Sequence, residues 1–459
     1  MMTETLRTES LPTLQAAAHR HLWMHFADMS SYEDREIPTV VKGEGAYVWD
    51  DRGRRYIDGL ASLYCVNAGH GRREIADAVH NQLKDLEYFP VWNYATPPAV
   101  KLAERVAELA PGNLNRVFFT SGGSESVESA WKLARQYHRL RGHEGKTKII
   151  GRTGAYHGTT MGALSITGIP SMQEPFLPLV PGVLHAPKVD NYRATVGPEQ
   201  HALDCANAVA DIIKAEGANT IAAIIVEPVQ NSGGCLPADP IYFQRLREIC
   251  DANDVLLISD ETICAWGRTG AFFGSAALGY QPDIITTAKA ITSAYIPMGA
   301  VIAGDHVVEP FLSRGAVFEH GLTFGGHPVA AAAGLANIEI IENENLCGRA
   351  TELGARLRAG LEGLYDIPIV GDVRGAGFFQ AIELVKDQKT KESLPAETLL
   401  KWSREVPGML FDRGLVCRAI HRGAPIIQFA PTLVSSEQDV DDIVSIVDDV
   451  LRIKLAELG

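Results

Sequence analysis

Apolar and polar positions change their rhythm several times along the chain. After a polar opening, apolar residues at helical spacing predict a helix over residues 14–28, ending in the polar Ser30-Ser31 region. Val40-Val41 and Ala46-Tyr47-Val48-Trp49, flanking Gly43 and Gly45, predict a hairpin. Asp51-Arg52-Gly53 offers a turn before Tyr56-Ile57. From about residue 72, helices alternate with short apolar runs. Residues 73–86 and 98–109 repeat their apolar positions every three or four. The runs 116–119, 220–226, 255–258 and 284–287 are short, apolar and mostly rich in β-branched residues or Phe, and Lys148-Ile149-Ile150 reads as a further strand. That is the pattern of parallel strands covered on both faces. Past Pro328 an Ala-rich helix over 329–342 leads into more helix and strand. The fold class expected is α/β.

Composition narrows the function classes. The chain has 459 residues, 46% of them hydrophobic, enough to bury a large core, so a disordered or fibrous chain is excluded. Lys plus Arg number 42 and Asp plus Glu 56, a formal charge of −14 that repels a phosphate backbone and disfavours nucleic-acid partners. No apolar run approaches the roughly 18–20 residues that span a bilayer, and the first ten residues lack the apolar stretch of a secretory signal. Seven cysteines without paired spacing suggest reduced thiols. A soluble, cytoplasmic protein is the expectation.

Candidate chemistry sits where strands end. Leu256-Leu257-Ile258-Ser259 runs into Asp260, Ile224-Ile225-Val226 into Glu227, and Ile284-Ile285-Thr286-Thr287 is followed by Ala288 and Lys289. In open α/β sheets the ligand crevice lies beyond the carboxyl ends of the strands. One such carboxylate is weak evidence, since capping and salt bridges use the same position; an acid and a lysine on separate strand ends are stronger. Thr120-Ser121-Gly122-Gly123-Ser124-Glu125-Ser126 forms a Gly-rich turn into a helix with Val127, Ala130, Trp131 and Ala134 on its inner side. This is either an anion site made of free N–H groups or an ordinary N-cap. Ala155-Tyr156-His157-Gly158 offers an aromatic that stacks on a planar ring or packs in the core. His320 to Pro328 is another Gly-rich loop before a helix. Neither a GxGxxG dinucleotide fingerprint nor a GxxxxGK[ST] loop follows a strand, and the histidines show no metal-ligand spacing. Together these residues describe a site for a phosphorylated aromatic aldehyde. Lys289 would form a Schiff base, Asp260 would hold a pyridine nitrogen protonated, and the Gly-Ser turn would take the phosphate.

With those residues in place, the sequence resembles the class III (omega) aminotransferases, enzymes of pyridoxal-phosphate fold type I. The matching stretches are Gly122-Gly123-Ser124-Glu125-Ser126, Tyr156-His157-Gly158, Val226-Glu227-Pro228-Val229-Gln230, Asp260-Glu261, Gly267-Arg268-Thr269-Gly270, Lys289 and Thr323-Phe324-Gly325-Gly326-His327-Pro328. Their order and spacing cover most of the chain, from about Gly43 to Val434. The resemblance implies a large cofactor domain over 71–328 with a mostly parallel sheet. It also implies a smaller α+β domain made from residues 1–70 and 329–459. It implies pyridoxal 5′-phosphate as cofactor, with Lys289 as its covalent anchor and the base at substrate Cα. Asp260 would pair with the pyridine nitrogen, Tyr156 would stack on the ring, and Gly123 and Ser124 would bind the phosphate. His157, Glu227 and Thr262 would complete the cofactor pocket, with Glu227 near the phenolic oxygen. Thr323 would reach the phosphate of a neighbouring subunit, so a homodimer at least is implied, dimer and tetramer both remaining open.

Departures from the family pattern bear on substrate. Thr262 stands where a valine is common and Ala290 where a glycine is; neither removes a reacting group. The stretch Gln230-Asn231-Ser232-Gly233-Gly234 lacks the gating glutamate of ornithine- and 4-aminobutyrate-type members. This, with Leu63-Tyr64-Cys65-Val66-Asn67 and Trp92, is similar to the pyruvate-dependent omega-transaminases, in which such aromatics wall an apolar pocket. Core packing is the alternative for Trp92. Val416-Cys417-Arg418-Ala419 matches that branch's mobile arginine, whose fork pairs a carboxylate; Arg422 competes for the role. The expected activity is amino transfer from an amine or omega-amino acid to a keto acid, pyruvate above 2-oxoglutarate, by a ping-pong mechanism. Decarboxylation, racemisation and amino migration are alternative outcomes of the same cofactor chemistry, and a non-catalytic binding protein is a more distant one.

Overall fold

The computed structural model describes residues 11–32, 36–421 and 425–458. Its centre is a seven-stranded sheet made of β1 (Leu114–Thr120), β2 (Lys148–Arg152), β3 (Val183–Ala186), β4 (Ile221–Val226), β5 (Leu256–Asp260), β6 (Ile284–Thr287) and β7 (Gly299–Gly304). The strand order is β1-β7-β6-β5-β4-β2-β3. Only β7 runs antiparallel to its neighbours, so the sheet is mostly parallel, the α/β architecture expected. Every residue of β4, β5, β6 and β7 is buried, which is why the parallel strands β4, β5 and β6 read as dense apolar runs rather than alternating ones.

Helix α1 (Gly123–Leu140) lies on this sheet through Val127, Ala130, Trp131 and Ala134, which pack against Ile149, Ile225, Ile258 and Val301. Helix α2 (Pro328–Asn343) follows, buried along much of its length. The hairpin of Val40–Glu44 and Tyr47–Asp50 continues into Arg55–Asp58. That last strand pairs in parallel with Leu415–Val416, so segments from the two ends of the chain share a sheet. A second four-stranded sheet is built from Val370–Ala376, Phe379–Leu384, Pro425–Phe429 and Arg418–His421.

The structure corrects the sequence reading in places. The first helix spans Leu11–His21 rather than 14–28. The apolar residues after it, Leu22, Trp23 and Phe26, are exposed within the chain, and helices draw most of their stability from burying an apolar face. Strands β3 and β7 were not expected. Gly299-Ala300-Val301-Ile302-Ala303-Gly304 is too small and glycine-flanked to stand out, and only its ladders with β1 and β6 make it a strand. No described helix is long and apolar enough to cross a membrane, and all seven cysteines are free thiols.

Candidate active site

The carboxyl ends of the central strands converge. Asp260 is the last residue of β5, Glu227 follows β4, Lys289 follows β6 by one intervening residue, and Tyr156 lies just past β2. These four line one cavity with Gly123, Ser124, His157, Gly158 and Thr262. Eight positions singled out by sequence therefore meet in a single place: Gly123, Ser124, Tyr156, His157, Glu227, Asp260, Thr262 and Lys289.

Asp260 is buried, and its carboxylate is held from three directions. His157 Nδ1 lies 2.7 Å from Oδ2, and because a carboxylate only accepts, Nδ1 carries the proton. Thr262 donates to Oδ1 through its hydroxyl at 2.6 Å and its amide at 3.2 Å. Thr286, the parallel-register partner of Asp260 on β6, adds its hydroxyl at 3.2 Å. Burial alone would raise this carboxyl's pKa, but the bonds and charge from His157, with those from Thr262, outweigh it and hold the pKa below the usual carboxylate value. The hydroxyl that distinguishes Thr262 from valine thus supports the anion. Glu261, next along, turns the opposite way, accepting from the amides of Gly274 and Ser275 and from the Ser259 hydroxyl; burial pushes its pKa up to about 7. One acid faces the cavity as an anion and its neighbour braces a backbone turn.

Lys289 begins a short 3-10 turn with φ at 52°, a left-handed conformation that costs a residue bearing a β-carbon roughly 1–2 kcal/mol. No described residue accepts a hydrogen bond from its amine, which lies 5.4 Å from the centre of the Tyr64 ring. Burial lowers the lysine's pKa, against the opposing influence of Cys65, Asp260 and Glu227. That favours the neutral amine, the form able to attack an aldehyde. Glu227 joins two turns, accepting from the Tyr156 amide at 3.4 Å and the Asn231 amide at 2.9 Å, and burial raises its pKa.

The phosphate end fits equally well. Helix α1 starts at Gly123 with no side chain capping it, which leaves first-turn N–H groups and the positive end of its dipole facing the cavity. A β-carbon on Gly123 would come 3.0 Å from the Thr262 methyl. One on Gly158, at φ +127°, would come 2.2 Å from Ser124 Oγ. Together these glycines keep a cradle clear in front of the Ser124 hydroxyl. Gly158→Ala is expected to weaken pyridoxal-phosphate binding about tenfold or more, since it forces that hydroxyl to rotate and adds backbone strain of roughly 1–3 kcal/mol. Titration of the apoprotein measures this, and affinity within twofold of wild type would contradict the cradle.

Two further predicted residues flank the cavity. Tyr64 is buried and donates to Gln428 Oε1 at 2.8 Å; burial raises its pKa, and the Arg418 guanidinium beside it lowers it. Arg418 pairs in register with Gln428 and lines a cleft of about 730 Å³ with Lys188, Ser171 and Ser403. Arg422 lies outside the described residues. Trp92 and Thr323 do not reach the cavity within this chain. Trp92 is 69% exposed and lines a separate cleft with Tyr94, His320 and Leu322, while the exposed Thr323 accepts through its carbonyl from the Tyr88 hydroxyl at 2.6 Å.

Thr286 and Gln428 were not singled out by the sequence. Thr286 was visible in retrospect as the polar residue of β6 level with Asp260, but Gln428 lies 364 residues from Tyr64 and carried no local signal.

An uncapped helix start behind a glycine cradle, a low-pKa acid facing the cavity and a buried amine match the phosphate, ring nitrogen and aldehyde of pyridoxal phosphate. Comparison with known proteins points the same way. The class III aminotransferase family model matches residues 29–451. A probable aminotransferase of Mycobacterium tuberculosis is 50% identical over 450 residues, 97% of this chain and 96% of that protein. A putrescine–pyruvate aminotransferase of Pseudomonas aeruginosa is 36% identical over 94% of each chain. Among solved structures, an (S)-enantioselective omega-transaminase from Thermomicrobium roseum superposes with a TM-score of 0.94 at 38% identity, covering 98% of this chain and 99% of that one. The omega-transaminase of Pseudomonas jessenii, 32% identical with a TM-score of 0.91 over 98% and 99% of the two chains, was solved in complex with PMP. The chain belongs to the class III aminotransferases, and its cofactor is pyridoxal 5′-phosphate.

Proposed function

We propose that this enzyme is an omega-transaminase that moves the amino group of an amine or omega-amino acid to pyruvate by a ping-pong mechanism, working as a homodimer. When bound, pyridoxal phosphate supplies the electron sink and carries nitrogen between the half-reactions. The chain's residues do the rest. Lys289 moves a proton between substrate Cα and C4′ of the cofactor, and burial lowers its pKa in favour of the basic form. Asp260, anchored by His157 and Thr262, keeps the pyridine nitrogen protonated. Tyr156 covers the ring face, Glu227 orders the hydrogen bonds beside the phenolic oxygen, and Gly123 and Ser124 hold the phosphate.

The observation that carries the substrate reading is Arg418, beside Tyr64 at the edge of the cavity and open to the neighbouring cleft. Its guanidinium matches a keto-acid carboxylate in two parallel hydrogen bonds and has the neighbouring cleft to turn into when an uncharged amine occupies the same pocket. Relatives that use pyruvate and ones that use 2-oxoglutarate both occur, and the Gln230–Gly234 stretch without an acid favours the pyruvate kind. Trp92, Tyr94 and Val317, which line one cleft, and Phe324, next to Thr323, are exposed apolar residues, which favours burial against a second copy and delivery of Thr323 and Trp92 to that copy's site.

A panel of amines against pyruvate, 2-oxoglutarate and succinic semialdehyde tests the acceptor; preference for 2-oxoglutarate would overturn the pyruvate reading. Arg418→Ala is expected to raise KM for the keto acid about 10- to 100-fold, the equivalent of a charged hydrogen bond of roughly 1.5–3 kcal/mol, with little change for an uncharged amine. Equal effects on both substrates would transfer the role to Arg422.

A further inference from the structure

One polar cluster outside the cavity is built more closely than packing requires. The segment 315–327 between the helix Asp305–Arg314 and α2 carries Thr323, and it is tied to one face of α1 by three side chains spaced at i, i+3 and i+7. Gln136 donates to the Val317 carbonyl at 2.6 Å. The His320 ring bridges the other two, with Nδ1 2.8 Å from Lys132 Nζ and Nε2 2.8 Å from Ser129 Oγ. The ring also stacks on Phe118 of β1, centroids 5.6 Å apart and planes at 21°, with Phe318 at its edge.

Donor chemistry fixes the direction of this chain of bonds. An ammonium only donates, so Nδ1 accepts from Lys132 and the proton of the neutral ring lies on Nε2. Nε2 then donates to Ser129 Oγ, whose own proton goes to the Glu125 carbonyl at 2.6 Å. The Glu125 carboxylate in turn accepts from the Ser121 amide at 2.7 Å. The bonds therefore run from the Thr323 segment into the turn that opens α1 at the phosphate pocket.

We propose that neutral His320 is a positioning residue that locks the Thr323 segment to α1, and so couples the phosphate turn of one site to the residue delivered to the next. This rests on the reading of Thr323 as a phosphate contact in a second copy. Protonation breaks the lock, because Nδ1 stops accepting and a cation is left against Lys132. The charged groups facing the ring are Lys132, Glu128 and Glu125, all on α1, while β1 and the segment itself present Phe118 and Phe318. Burial first and Lys132 second lower the ring's pKa, against Glu128 and Glu125. With a depressed folded pKa, the lock is complete above the ordinary histidine value near 6.5 and is lost as pH falls from there through the lowered value.

Amide-exchange protection of residues 317–326 in the apoprotein, corrected for intrinsic rates between about pH 8 and 5, tests this alongside the Kd for pyridoxal phosphate. Wild type should lose protection and cofactor affinity about fivefold as the pH drops, the scale of one hydrogen bond. His320→Gln, which keeps a donor and an acceptor but does not titrate, should show no slope in protection and a shallower one in affinity, the remainder belonging to Lys289. The surface variant Lys132→Met should shift or flatten the slope in protection. The same slope in His320→Gln, or none in wild type, would overturn the lock. Failure of wild type to bind the cofactor at any pH would instead strike the functional reading.

Discussion

Replacing Lys289 with alanine should abolish the visible absorbance of lysine-bound cofactor and reduce kcat by at least about 10⁴-fold, the upper range of positioned acid–base catalysis, with the covalent anchor lost as well. Among the described residues Lys289 is the single lysine lining the cavity. Lys188, in the neighbouring cleft, is engaged by Asp190 at 2.7 Å. The left-handed backbone at 289 aims this one side chain into the cavity, and alanine there preserves the turn while removing the amine. Absorption spectra and steady-state rates check the outcome, and retention of both signals would defeat the assignment. Addition of a small amine should restore part of the rate if the missing function is proton transfer at substrate Cα.

Asp260→Asn should have the next largest effect, a fall in kcat of about 10²- to 10⁴-fold, corresponding to the roughly 3–5 kcal/mol lost when one member of a buried charge pair is removed. Asparagine is nearly isosteric: its one carbonyl oxygen still accepts from Thr262, while its amide nitrogen faces His157 Nδ1, which accepts once the ring carries its proton on Nε2, so the cavity should keep its shape and bind cofactor. What disappears is the negative charge proposed to hold the ring nitrogen protonated. Measuring kcat beside the cofactor's Kd separates the two: a rate collapse with affinity reduced far less is expected, and a rate within tenfold of wild type would sink the pairing. His157→Asn should reproduce part of the effect through a raised Asp260 pKa, visible as an acid limb displaced upward in the pH–rate profile.

How much of this site was legible differs by residue. Asp260 and Lys289 stood out because each closes a dense apolar run, and a charge there has to leave the core through the crevice at the sheet's carboxyl edge. The Gly122-Gly123-Ser124 turn was legible for a similar local reason, since strand, glycine and helix start are adjacent in sequence. The partners that tune the acid were another matter. His157 and Asp260 are 103 residues apart and Thr286 and Asp260 are 26; only parallel strand register brings them together. Tyr64, Gln428 and Arg418 meet because an N-terminal segment and a C-terminal sheet fold over the same opening.

By itself, then, the order of residues determined the alternation of helix and buried strand and marked one amine, one acid and one glycine turn as candidates, because each is encoded within a few neighbouring positions. Tertiary structure alone decided which protons Asp260 accepts, that Glu261 turns away from it, where Arg418 stands, and that Trp92 and Thr323 lie outside this chain's own cavity. Those outcomes depend on distances between segments remote in sequence, which hydrophobic pattern and local propensity do not encode.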